Sequence, residues 1–137
     1  MVTTVLILLA AMSRPAAPPT LTWNDFFASV SPTGVTYSDV AKKRENHSVR
    51  VRGYAVVTPP LEHGILLTRF PYNDPHEVEE TDIPFDAVAV LWRKGIVIPR
   101  VPTRPTVEGV LHLGNRDVGP VIVSITLEDA TPVYPKH

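Results

Sequence analysis

The chain has 137 residues, 15 of them proline and none cysteine, with a formal net charge of -1. That length is enough for one domain with a core that folds without cross-links, and the lack of cysteine excludes disulfides, thiolate nucleophiles and Cys-based zinc or iron-sulfur sites. The near-neutral charge supplies no global field to recruit nucleic acid or an anionic membrane, although a local patch remains open.

The proline density, set among many Val and Thr, disfavours helices and suits short strands joined by shaped turns, so the expected class is mainly β. In chain order, Val5 to Met12 is a continuous apolar run. It is too short to span a bilayer, which takes about 20 residues. It reads as the apolar region of a secretory signal with Ala11-Met12-Ser13 as a small-x-small cleavage site, although no Lys or Arg precedes it. Residues 1–20 are thus expected to be a signal peptide and a flexible start of the mature chain, placing the protein in the periplasm or outside the cell. The alternative is a buried N-terminal strand or helix in a cytoplasmic protein.

Trp23, Phe26 and Phe27 fall on one side of a one- or two-turn helix, capped by Thr22 or Asn24, that would plug the core. Tyr37 to Asn46 is a polar stretch carrying Lys42-Lys43-Arg44. Ser48 to Val57 is the clearest strand: Val49, Val51, Ala55 and Val57 alternate with Arg50, Arg52, Tyr54 and Val56, and Gly53 marks a bend. Thr58-Pro59-Pro60 ends pairing, and Ile65 to Phe70 completes a hairpin. Pro71 to Pro84 is a long acidic loop, of the length at which loops tend to carry function. Phe85 to Trp92 is the third strand, with Ile96 to Ile98 a short continuation or edge. Thr106 to Leu113 is the fourth, Gly114 to Asp117 the turn, Pro120 to Glu128 the fifth, and Val133-Tyr134 a last edge pairing. Residues 21–137 therefore form a small five- to six-stranded OB-like barrel with one short N-terminal helix, a β-sandwich being the runner-up.

The order Trp23-x-Asp25-Phe26, Val49-x-Val51-x-Gly53-Tyr54, Leu66-Leu67 with Pro71-Tyr72, and Val107-x-Gly109-x-Leu111 resembles a family of exported bacterial proteins of unknown function with an OB-like barrel. The resemblance spans roughly Trp23 to Tyr134. Members of that family carry a Cys-Ile-His segment and a polyproline run after the Pro-Tyr position. Here His76 has no cysteine before it and Glu77-Val78-Glu79-Glu80 replaces the prolines, so no thiolate-dependent role carries over.

The acidic loop holds the densest set of possible ligands for a divalent metal, Asp74, His76, Glu77, Glu79 and Glu80, to be completed by His47, His63 or His112 from elsewhere. The bland reading is a hydrated loop. Arg50, Arg52, Tyr54, Arg69, Tyr72 and Trp92 are the candidate ligand or partner face, and with Arg93 would give the basic and aromatic surface that single-stranded nucleic acid uses. Ordinary solubilising arginines and a core Trp92 explain the same residues, and export would part the protein from cellular nucleic acid. No G-x-S-x-G, P-loop or G-x-G-x-x-G is present, and Glu108 and Glu128 sit where strand glutamates are ordinary. What remains is a non-catalytic binding module without a required cofactor, its partner an unidentified protein or small molecule.

Overall fold

The computed structural model describes residues 17–31, 33–71, 86–97, 100–119 and 121–134. Among these described residues nine strands and two short helices follow one another: β1 (Thr20–Leu21), α1 (Trp23–Phe26), β2 (Phe27–Ser31), β3 (Gly34–Tyr37), α2 (Asp39–Arg44), β4 (Ser48–Arg52), β5 (Tyr54–Leu61), β6 (Gly64–Thr68), β7 (Val88–Trp92), β8 (Thr106–Val118) and β9 (Val121–Val133). Strands β2 and β3 form a small antiparallel ribbon. The other seven make one sheet in the order β1-β4-β8-β9-β7-β6-β5. Its pairings are antiparallel except β1 with β4 and β7 with β9.

Strands β4 and β5 are consecutive in the chain, yet one lies beside β8 and the other is the far edge of the sheet. A flat sheet cannot satisfy both placements, so this one curls until its ends meet at Gly53. Gly53 N donates to Pro105 O at 3.3 Å and Ala55 N to Thr103 O at 2.9 Å, tying the bend to the segment that leads into β8. The residue must be glycine for lack of room. A Cβ there would stand 2.6 Å from the Trp23 ring and 3.1 Å from Thr68 O.

Trp23 comes from α1, which enters the mouth of the curled sheet and buries Trp23 and Phe26. The Asp25 carboxylate holds the helix start, accepting from Thr22 N at 2.8 Å and Thr22 Oγ1 at 3.0 Å. The Trp23 indole N–H donates to Asp86 O at 2.7 Å, so its one polar group is met inside the core. The Trp23–Phe26 and Phe26–Phe27 rings meet edge to face, with centroids 6.0 and 6.2 Å apart. Val49 and Val51 of β4, Leu67 of β6, Val88 and Val90 of β7, and Leu127 of β9 pack around them. A second cluster, Val56, Leu66, Ala89, Val118, Val121 and Val123, covers the opposite side of β6 and β7. With apolar cover on both faces, Val88, Ala89 and Val90 are all fully buried and the strand shows no alternation.

The expected mainly β class is what the chain forms, with the bend at Gly53, and in place of a five- to six-stranded barrel the described residues form a curled half-barrel sheet of seven strands plus the small ribbon. Several boundaries differ from expectation. The polar stretch after Tyr37 contains a second helix, α2, because Ser38 caps it by accepting from Ala41 N at 3.1 Å, and Lys42, Lys43 and Arg44 fall in the last turn where cations oppose the helix dipole. Gly114 to Asp117 is no turn. It lies within β8 at a register shift, where Gly114 has φ +116, and the hairpin turns instead beside Gly119 at φ +63. Val133 belongs to β9 and pairs with Thr106 rather than forming a separate edge, while Ile96 and Val97 form no strand. Pro19 and Thr20, expected in a flexible segment, run beside the open edge of β4, where Arg50 N donates to Pro19 O at 2.8 Å. Residues 1–16, including the apolar run and its cleavage site, lie outside the described residues. No helix among the described residues is long and apolar enough to cross a membrane.

Candidate functional site

Alternation on β4 buries Val49 and Val51 and turns Arg50 and Arg52 to the outer face. Their partners on β8 decide what each arginine does. Arg50 stands directly opposite Glu108 and pairs with it, Nε to Oε1 at 3.0 Å. Arg52 stands opposite Thr106, which offers no charge.

Beside Arg52 opens a groove of about 650 Å³. Its walls are the proline-bearing segment before β8, with Val101, Pro102 and Pro105, and the end of β9, with Pro132, Val133 and Tyr134. Proline fixes this approach because Pro102 and Pro105 lock their own φ and leave no N–H to satisfy. Arg104 projects from the same segment, its guanidinium 5.1 Å from the centroid of the Tyr54 ring. Among the described residues neither Arg52 nor Arg104 has an ion-pair partner, and no acidic residue lines the groove. Two uncompensated guanidiniums over apolar walls suit an anionic group, which arginine grips with a planar fork, attached to an apolar or aromatic body. Tyr134, 65% exposed at the rim, offers a further ring.

A second polar region surrounds the end of β7. Trp92 pairs with Ala130 and Val90 with Leu127, so Glu128 and Asp129 of β9 form a bulge opposite Leu91, and Asp129 takes the left-handed conformation at φ 53. Asp129 pairs with Arg93 at 3.1 Å, and Glu128 pairs with His112 at 3.1 Å and with Arg116. The hydrogen bond from Arg116 holds the Glu128 carboxyl below the usual glutamate range against a weaker opposing effect of burial, with the charges of Arg116 and His112 adding to the lowering. His63 Nε2 lies 3.3 Å from Arg93 O. Elsewhere, burial pushes the Tyr37 phenol up. That hydroxyl donates to Ser124 O at 2.7 Å and accepts from Gly114 N at 2.9 Å, bracing the irregular part of β8.

Of the residues expected on a ligand face, the structure brings Arg52 and Tyr54 to one place, joined by Arg104, which sequence reading passed over. Only the run Pro102-Thr-Arg-Pro105 signals it: an arginine held between prolines is displayed on a stiffened segment. Arg50 is engaged with Glu108. Arg69 does not line the groove; it donates to Asn24 Oδ1 at 3.0 Å and lies over the Phe70 ring. Trp92 is 3% exposed and belongs to the core cluster, so its face is not free for stacking. Tyr72, and the metal candidates Asp74, His76, Glu77, Glu79 and Glu80, lie outside the described residues. Among the described residues no three His, Asp or Glu side chains gather as a metal site.

No protein-family model matches this chain, and no curated protein matches it by sequence. Its fold is similar to that in the crystal structure of a DUF3299 family protein from Pseudomonas aeruginosa. The TM-score is 0.55, over 89% of this chain and all of that one, at 16% sequence identity. At that identity the likeness is one of fold. It leads to a family of unknown function, in keeping with the coarser part of the resemblance drawn from the sequence motifs.

Proposed function

We propose that this chain is an exported, non-catalytic binding module whose Arg52–Arg104 groove holds an anionic ligand with an apolar or aromatic body. The observation that carries this reading is the pairing pattern of the arginines. Arg50 has Glu108 opposite it, whereas Arg52 and Arg104 have no counter-ion among the described residues and line a concave, proline-walled surface. Two guanidiniums lining one groove repel each other by like charge, and a bound anion offsets that repulsion. The OB-like curl supplies the rigid frame: the groove lies where β4 passes into β5 and is bonded to the segment carrying Arg104.

Amide NMR of the full chain, titrated separately with benzoate, inorganic phosphate and a short oligothymidylate, tests the groove. Saturable shifts confined to Arg52, Tyr54, Thr103, Arg104, Thr106 and Tyr134 are expected with benzoate. A charge-assisted hydrogen bond contributes about 1.5–3 kcal/mol, so Arg52→Gln or Arg104→Gln should weaken binding by roughly tenfold or more. Scattered shifts that ignore both substitutions would reject the groove, and a salt-sensitive response to oligothymidylate alone would favour single-stranded nucleic acid. Export rests on the apolar run and Ala11-Met12-Ser13. Mass spectrometry of the protein from its native host should find an N-terminus at or just after Ser13, and an intact Met1 would contradict it.

A further inference from the structure

We propose that Tyr54 is the positioning residue of the Arg52–Arg104 groove: its ring holds the Arg104 guanidinium without neutralising it, so that an anion meets a charge already in place. This role rests on the reading of the groove as an anion site and names the residue that sets its affinity. On the outer face β4 and β8 meet in register, with Arg50 opposite Glu108 and Arg52 opposite Thr106. The same register runs on past Gly53, because Gly53 N donates to Pro105 O at 3.3 Å and Ala55 N to Thr103 O at 2.9 Å. Those two hydrogen bonds bracket Tyr54 and Arg104 and make them the next facing pair. A Cβ on Gly53 would point into the Trp23 ring inside the sheet, so Arg52 and Tyr54 on either side of it point outward.

Along these successive pairs each arginine meets a different partner. Arg50 has a carboxylate, and Arg52 has a threonine. Arg104 has an aromatic ring, its guanidinium carbon lying over the Tyr54 face at 5.1 Å from the centroid. Carboxylate and ring differ in what they leave behind. A carboxylate accepts from the guanidinium N–H groups and cancels the charge. A ring attracts the cation through its quadrupole, keeps the charge whole and leaves N–H donors for an incoming anion. Arg52 and Arg104 occupy diagonal positions of adjoining pairs, a separation that long side chains can bridge. Without the ring, mutual repulsion and the rotamer entropy of a long side chain would carry Arg104, exposed on its segment, out into water. With the ring beneath it, less of that freedom remains to be lost when the anion binds.

The test is NMR of the full chain titrated with benzoate. An exposed cation–π contact corresponds to about a two- to fivefold change in affinity. Tyr54→Leu should weaken benzoate binding by that factor, and Tyr54→Phe should keep most of the wild-type affinity. In the Arg104→Gln background Tyr54→Leu should bring no further loss, whereas in the Arg52→Gln background it should bring the full one. A ring-fluorinated phenylalanine at position 54 keeps the shape of the ring and withdraws its negative face, so it should bind as weakly as Tyr54→Leu. That arm separates the electrostatic role from a structural one, even where Tyr54→Leu disturbs the fold. Without ligand, the Arg104 Cδ protons should show an upfield ring-current shift that Tyr54→Phe retains and Tyr54→Leu abolishes. Affinity unchanged by fluorination overturns the proposal, and so does a Tyr54→Leu loss that persists in Arg104→Gln. Absence of benzoate binding by the wild-type chain overturns the reading of the groove and this role with it, whereas wild-type binding that ignores Tyr54 overturns this role alone.

Discussion

Glycine at position 64 is fixed by a neighbouring carbonyl. A Cβ there would lie 2.1 Å from Val90 O, and backbone of a central strand cannot retreat as a side chain can. Gly64→Ala should therefore cost about 3 kcal/mol or more, read as a lower denaturant midpoint. Gly53→Ala meets a ring at 2.6 Å and a carbonyl at 3.1 Å, so it should be relieved in part by Trp23→Leu, which removes the ring. A double-mutant cycle checks this, and additive losses would show that the ring is not the obstacle. Glu128 gives a pH signature. Its carboxyl is held below the ordinary value, so the charged form is favoured by folding. The stability it contributes is present above about pH 4.3, the unfolded value, and is lost as pH falls through the lower folded value. Glu128→Gln should flatten that part of the acid limb of a pH–stability curve by a small amount, since the pair is over a third exposed and screened by solvent. At this scale the sequence marked Gly53 through the broken alternation of its strand. Gly64 carried no such mark, because its reason is Val90, a residue of a different strand.

Among the elements, α2 depends most plainly on one side chain. Ser38 Oγ accepts from Ala41 N and donates to Asp25 O, linking the start of α2 to α1. Ser38→Ala should cost about 1–2 kcal/mol, the upper part of the range for a cap, because two bonds go at once; thermal unfolding measures it. Strands buried on one face were legible from sequence, as the Val49/Val51 against Arg50/Arg52 alternation of β4 shows. Less legible was the length of β8. Gly114-Asn115-Arg116-Asp117 has the composition of a turn, and only the Tyr37 hydroxyl, from a ribbon remote in sequence, takes the Gly114 N–H and carries the strand onward. Tyr37→Phe should loosen this region by about 1–3 kcal/mol, with faster amide exchange at Gly114 and its neighbours. The candidate site follows the same division. Arg52 and Tyr54 sit on the best strand in the sequence and were found there, whereas Arg104 and the Glu128–Asp129 bulge owe their positions to partners that local pattern does not name.

For the molecule as a whole, the class was legible because proline spacing and strand alternation agree, while closure was not, since it depends on which strands meet. The strand that decides closure is β9, late in the chain and yet seated between β8 and β7. Until β9 is present, the halves of the sheet on either side of it have, among the described residues, no hydrogen-bonded connection except through the bend at Gly53. A ribosome delivering this chain would therefore release most of it before the fold can form. Chains ending at Gly119 should lack a cooperative unfolding transition, and the full chain should become protease-resistant only after Val121 to Val133 has emerged. Folding would then be a late, all-at-once event, set by the arrival of the one strand that joins the two halves of the sheet.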